Sequence, residues 1–210
     1  MAEFTLHLEA WAHESPIPDR YAFGTLDENS AFALSENISP ALRWEHAPEG
    51  TQSFAIVLVD PDVPSSGEDV NKEGREVSET LPRVDFFHWL VANLPADSTG
   101  LEEGVAAKGV TPRGKPTGKV DYGTVGANNY TQWFAGDADM EGVYGGYDGP
   151  CPPWNDRLVH RYVLTVYALG AANVELPENF DGPALLEAIK PHVLASASHM
   201  GTYTMNASLR

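Results

Sequence analysis

The chain is short of cysteine, of positive charge and of long apolar runs, and each shortage closes off a class of protein. Cys151 is the single cysteine among 210 residues. An intramolecular disulfide framework is therefore impossible, and a reducing, cytoplasmic compartment is expected. Thirteen Lys and Arg stand against 30 Asp and Glu, a net charge of −17. That field repels nucleic acid and anionic lipid, so no nucleic-acid partner is expected. The longest aliphatic run, Phe54–Val59, is far too short to span a bilayer, and MAEFTLHLEA has no basic segment followed by an apolar one. No membrane insertion is expected. Templates for catalysis are missing too: there is no G-x-S-x-G, P-loop, G-x-G-x-x-G, H-E-x-x-H or paired C-x-x-C. No catalytic residue, cofactor or resident metal is expected.

What is present is the material of one β-rich domain covering residues 1–210. Nineteen Gly and 16 Pro lie in short clusters between apolar runs, the pattern of many strands and turns. Phe4, Leu6 and Leu8 alternate with polar residues and predict a half-buried strand. Leu42–Ala47 predicts another. Ser53–Asp60 (SFAIVLVD) and Phe86–Leu94 (FFHWLVANL) are apolar on both faces and predict central strands. The first is expected to stop at the prolines of Asp60-Pro61-Asp62-Val63-Pro64, the second at Pro95. Residues 65–80 and the glycine-rich 97–129 predict polar surface excursions; Lys108, Arg113, Lys115 and Lys119 make the latter a local basic patch. Asp181-Gly182-Pro183 predicts a helix start, with Leu186, Ile189, Val193, Leu194 and Ala197 keeping helical spacing toward Gly201. Pro191 should kink or split that helix, and Thr202–Asn206 predicts a short final strand.

The stretch Gly145–Leu169, GGYDGPCPPWNDRLVHRYVLTVYAL, sets a stiff Gly/Pro loop before a strand apolar on both faces, with His160 and Tyr162 at the junction. Together with Asp60 and Asp62 at one strand end and His88 inside another, these residues form a coherent set for holding an oxyanion. Imidazoles and loop N–H groups donate, while Asp60 orients the His88 ring. Each also has an ordinary structural reading: His88 as a hydrogen-bonded core residue, Asp60 as a turn starter, Tyr162 as a core aromatic, Cys151 as a small buried apolar group. Two enzyme alternatives stay open, a facial metal triad of His88, His160 and Asp60, and a hydrolase built on Ser65 or Ser66.

Three blocks in order, SPALRWEHAPEGTQSFAIVLVDPDVP, FFHWLVANLP and GGYDGPCPPWNDRLVHRYVLTVYAL, resemble the phosphatidylethanolamine-binding protein family in its bacterial and archaeal branch, over about Phe4 to Tyr203. The resemblance implies a mainly β, α+β domain with a large central antiparallel sheet, a smaller second sheet and short carboxyl-terminal helices. It implies a pocket for phosphate-like anions or phosphorylated head groups. Its acid would be Asp60 of the motif that includes Asp62, its histidines His88 and His160, its loop backbone Tyr147, Gly149 and Pro153, and its strand tyrosine Tyr162. It also implies a non-enzymatic binding role, with inhibition of a kinase or protease through a surface loop as the alternative, and a homodimer as a possible assembly.

Overall fold

The computed structural model describes residues 2–210. Along the chain come β1 (Thr5–His7), β2 (Ser15–Pro16), β3 (Gly24–Leu26), β4 (Phe32–Leu34), β5 (Leu42–Glu45), β6 (Ser53–Pro64) and β7 (Arg83–Pro95). Next are β8 (Gly100–Leu101), β9 (Gly114–Lys115), β10 (Gly118–Val120), β11 (Gly123–Val125), the one-turn helix α1 (Tyr130–Trp133) and β12 (Val143–Tyr144). The chain closes with β13 (His160–Leu169), α2 (Gly182–Ile189) and β14 (Val193–Tyr203). Strands hold 38% of the residues and helices 9%, which makes the domain β-rich as its composition implies.

The apolar runs lie where burial on both faces requires, in the middle of a seven-stranded sheet of order β10-β11-β7-β6-β13-β14-β2. Its central pairs are antiparallel, and only the two-residue edge strand β2 joins in parallel. Alternation then sorts the side chains. Phe54, Ile56 and Leu58 of β6, with Leu164 and Val166 of β13, face one core shared with Leu6 of β1 and Trp44 of β5. Ala55 and Val57 face a second core capped by Leu185 and Ile189 of α2. The first core is closed by the small sheet β1-β5-β8. Burying side chains on both faces contributes about 1.5–3 kcal/mol for each large aliphatic one, which explains why these strands carry no polar alternation.

Three expectations are corrected. The prolines after Asp60 do not stop β6, which runs to Pro64 because the ladder with β7 resumes at Val63↔Val84 beyond an irregularity. Helical spacing does not carry through to Gly201: α2 ends at Ile189, a 3-10 turn with Pro191 follows, and Val193–Tyr203 is an eleven-residue strand paired along β13. The proline has no N–H to continue the helix, and from Ala197 onward burial alternates with period two. Nor is 97–129 wholly a surface excursion. β11 adds to the β7 edge, and Val125, Ala127 and Asn128 are buried. The helix start is as expected, with Asp181 accepting a hydrogen bond from Ala184 N–H at 2.9 Å and capping α2.

Candidate functional site

Where β6 and β7 pair, register slips at two places near one end of the sheet. Leu58 faces Trp89 but Val59 faces Phe87, so His88 is an extra residue bulged out of β7. Asp60 faces Phe86 but Val63 faces Val84, so β6 carries an extra residue in turn. Both bulges sit beyond the reach of β11, and loop groups take the freed backbone atoms. Asn129 Oδ1 accepts Phe87 N–H at 2.7 Å, and Asp148 N–H donates to His88 O at 3.1 Å. Asp60 and His88 thereby come to the mouth of the sheet beside Tyr162 of β13.

They line a cleft of about 350 Å3. Its walls are aromatic: Phe23, Phe32, Phe86, Tyr130, Trp133, Phe134 and Trp154, with Cys151, Pro152 and Pro153 from the Gly/Pro loop. Phe23 and Tyr130 stack at 4.5 Å between ring centroids, and His88 meets Tyr162 edge-on at 5.3 Å. Phe32 and Trp133, each about half exposed at 53% and 52%, form the lip. Gly67, Val70 and Asn71 complete the rim. The 65–80 loop that carries them is stapled by Asn155, whose Nδ2 donates to Asp69 O at 2.8 Å and Arg75 O at 3.0 Å while its Oδ1 accepts Asn71 N–H at 2.9 Å. Among the described residues no lysine or arginine lines the cleft.

The polar floor consists of Asp60, His88 and Tyr162. Tyr162 Oη is buried close to the Asp60 carboxylate but makes no hydrogen bond of acceptable geometry among the described residues. Burial first, then the Asp60 charge, pushes the phenol well above its ordinary pKa, so it stays a neutral donor. His88 Nδ1 lies 2.8 Å from Asp148 O, a carbonyl that can only accept, so Nδ1 carries the proton and Nε2 is left as an acceptor. Burial holds the His88 pKa below the ordinary histidine value, against the opposing Asp60 charge and the Asp148 carbonyl.

Behind the floor runs a chain of buried charges. Asp60 Oδ2 takes His160 Nδ1 at 2.7 Å, and Asp156 Oδ2 takes His160 Nε2 at 3.1 Å. Arg83 binds Asp156 through two bonds of 2.5 and 3.0 Å. Burial opposes an imidazolium here, but the hydrogen bonds His160 donates to Asp156 and Asp60 outweigh it and raise His160 to about 9. Asp60 Oδ1 also accepts Asp62 N–H at 2.8 Å. Asp62 itself binds Arg161 through the backbone N–H, Nε and Nη2, substituting for the ladder that β13 and β6 lose beyond Val163↔Val59.

The eight residues singled out from the sequence are thus divided. Asp60, His88, Pro153 and Tyr162 line the cleft. His160 is fully buried behind Asp60 with both ring nitrogens occupied, and Asp62 is turned toward Arg161. Tyr147 lies in the core with its hydroxyl on Tyr21 O at 2.6 Å. At Gly149 a Cβ would stand 2.0 Å from that same carbonyl, so the glycine serves close packing rather than approach to a ligand. Its N–H is taken by Asn37 Oδ1 at 2.8 Å. The expectation that Asp60 orients the His88 ring is overturned, because Asp60 orients His160 and the Asp148 carbonyl orients His88. Nor do the candidate triad residues converge on a metal: among the described residues no group of three or more His, Cys, Asp or Glu is disposed to hold one. The basic patch is also partly drawn inward, Lys115 reaching Asp148 Oδ1 at 2.7 Å, while Arg113 stays exposed and donates to Ala138 O at 2.9 Å.

Missed from the sequence were the aromatic walls and two acids, Asp148 and Asp156. Each acid sits in a Gly/Pro loop where aspartate is ordinary, and only full burial of both sets them apart.

Comparison with known proteins decides the family. The family model for phosphatidylethanolamine-binding protein matches residues 8–204. The chain belongs to the phosphatidylethanolamine-binding protein family. A UPF0098 protein of Methanothermobacter thermautotrophicus is 33% identical over 198 residues, covering 94% of this chain and 97% of that protein. The UPF0098 protein YbhB of Escherichia coli is 30% identical, covering 87% of this chain and 88% of its own. The crystal structure of E. coli YbcL, described as a member of the mammalian family, superposes with a TM-score of 0.68 at 25% identity, covering 97% of this chain and 99% of that one. That of a proposed family homologue from Chlamydia trachomatis gives 0.64 at 26% identity, over 96% and 97%. The family's β-rich single-domain fold is therefore this chain's fold. No helix among the described residues is long and apolar enough to cross a membrane.

Proposed function

We propose that the chain is a non-enzymatic binding protein whose cleft takes a small amphiphilic molecule, with an apolar body on the aromatic walls and a phosphate-like head at the Asp60–His88–Tyr162 floor. The observation that carries this reading is the Tyr162 hydroxyl. A buried donor without a partner costs about 1–3 kcal/mol, and a ligand oxygen would satisfy it. The name of the family supports a phosphate-bearing head group. With no lysine or arginine on the cleft wall, the second donor to an anion is His88 in its protonated form. Its lowered pKa then makes binding proton-linked: affinity rises as pH falls below the ordinary histidine value of 6.5.

Support for a non-enzymatic role comes from the same contacts. Burial pushes the Cys151 thiol up to about 12, which keeps it a weak nucleophile. The described partners of both site histidines are carboxylates or a carbonyl, while Ser66 Oγ accepts Glu68 N–H at 3.2 Å.

Calorimetric titration with methyl hexyl phosphate, a diester that does not titrate near neutral pH, tests the reading. Binding should exceed that of inorganic phosphate or hexanol alone and weaken about tenfold in Tyr162→Phe, the scale of one hydrogen bond to a charged group. Equal affinity of wild type and Tyr162→Phe would remove the floor from the assignment.

A further inference from the structure

Asp148 is wholly buried, and both its carboxylate oxygens are engaged: Oδ1 accepts from Asn37 Nδ2 at 2.8 Å and Lys115 Nζ at 2.7 Å, and Oδ2 from Asn128 Nδ2 at 2.8 Å. Its backbone grips one residue of the sheet twice, the N–H on His88 O and the C=O on His88 Nδ1. That residue is the bulged one, which β6 does not pair. The other braces hold the same point. Asn37 Oδ1 accepts Gly149 N–H, and Asn128 Oδ1 accepts Tyr130 N–H at 3.0 Å, so neither amide can turn over without losing a bond.

We propose that Asp148 is the positioning residue of the cleft: through its own backbone it fixes the His88 ring with Nδ1 turned to the loop and Nε2 to the ligand, and Lys115 is the counter-charge that keeps it buried. The inference rests on the cleft being a binding site. A backbone carbonyl dictates the tautomer here, since it can only accept and the ring nitrogen facing it must carry the proton. It stays in place only while the loop does, and the loop is held by a carboxylate that could not remain buried without a cation and amide donors. Lys115, whose side chain is 17% exposed, thus links the surface segment carrying the basic patch to the cleft floor. The ionisable groups around His88 are Asp60 of β6, Tyr162 of β13, Tyr130 of α1, Cys151 of the loop, and the Asp148–Lys115 pair. The two variants below change only that pair.

The test is the imidazole signal of His88, followed by nitrogen-15 NMR against pH in wild type, Asp148→Asn and Lys115→Gln. Wild type should show the Nδ1–H tautomer. Asp148→Asn removes a negative charge and sets an amide donor against Asn128 Nδ2; its His88 midpoint should fall by about half a pH unit, and the tautomers should mix. Lys115→Gln leaves the Asp148 charge uncompensated, so the midpoint should rise by a similar amount with the tautomer kept. Were Asp148 merely a structural brace, loosening would admit water and move both midpoints up toward the ordinary value. An upward or absent shift in Asp148→Asn therefore overturns the proposal. If that variant does not fold, Lys115→Gln decides alone: an unmoved midpoint or a mixture of tautomers overturns it. Affinity for methyl hexyl phosphate should drop about tenfold in Asp148→Asn, one hydrogen bond's worth. If that probe fails to bind wild type, the binding reading falls, while the titration still decides the role of Asp148.

Discussion

Two histidines neighbour Asp60, His160 bonded to it and His88 sharing the cleft floor with it, both almost wholly buried, and they end in opposite states. His160 lies between two carboxylates and carries its proton up to about 9. His88 faces a carbonyl and loses its proton more readily than free histidine does. Burial is common to both, so burial is not what decides. Removal from water penalises either imidazolium, and hydrogen bonds donated to full negative charges reverse the sign at His160. The first histidine belongs to the framework, as part of a closed chain Arg83–Asp156–His160–Asp60 whose charges cancel. The second belongs to the cleft, with a nitrogen to spare.

The strongest way to break this contrast is to cut the chain on the framework side. Asp156→Ala leaves Arg83 and His160 buried without their shared partner and should lower stability by about 3–5 kcal/mol in urea denaturation. A loss under about 1 kcal/mol would mean that the chain does not hold the strand ends together. A smaller effect is expected from pH. His160 is raised above its unfolded value of 6.5, so its contribution is complete below about pH 6.5 and disappears as pH climbs through about 9. At 1.36 kcal/mol per unit this amounts to roughly 3 kcal/mol, and His160→Asn should show a flatter stability profile over that window. Should the two profiles run parallel, His160 is not charged in the fold.

On the cleft side, Tyr162→Phe removes a buried hydroxyl that has no partner. Stability should hold or rise by up to about 1 kcal/mol, the reverse of what loss of a structural hydrogen bond would do. The smallest signal is the pair of imidazole titrations themselves. NMR should find one midpoint below 6.5 and the other near 9, and two coincident midpoints would dissolve the distinction.

How much of this could be read from the residues follows from where the physics is local. Ser53–Asp60 and Phe86–Leu94 declared themselves because a strand covered on both faces must be apolar throughout. Asp60, His88 and Tyr162 stood out as polar groups inside or at the ends of such runs. His160 stood out for the same reason, and the sequence pattern could not show that it faces two acids rather than a ligand, since Asp156 is four residues away while Asp60 is a hundred. β14 was misjudged because Leu186, Ile189, Val193, Leu194 and Ala197 happen to keep helical spacing across the end of α2 and the turn at Pro191. In the fold Val193 and Leu194 are exposed, and pairing along β13 overrides the pattern. Asp148 left no mark at all, because its importance lies in backbone bonds to a residue 60 positions earlier.

The slip in register that pushes His88 out of the β6–β7 ladder has a consequence for how such a molecule can change. A residue at a regular position in the central sheet answers to neighbours on both strands and to the core on its own face. A residue inserted between two paired positions answers to neither ladder, since Phe87 and Trp89 already meet Val59 and Leu58. The side chain at position 88 is therefore open to replacement without repacking Trp89 or Phe87, as long as the new side chain meets the Asp148 carbonyl and fits against Phe86, Tyr130 and Tyr162. The irregularity works as a socket: the sheet supplies the mounting, and the chemistry of the cleft can be exchanged at one position while the paired residues on either side stay as they are.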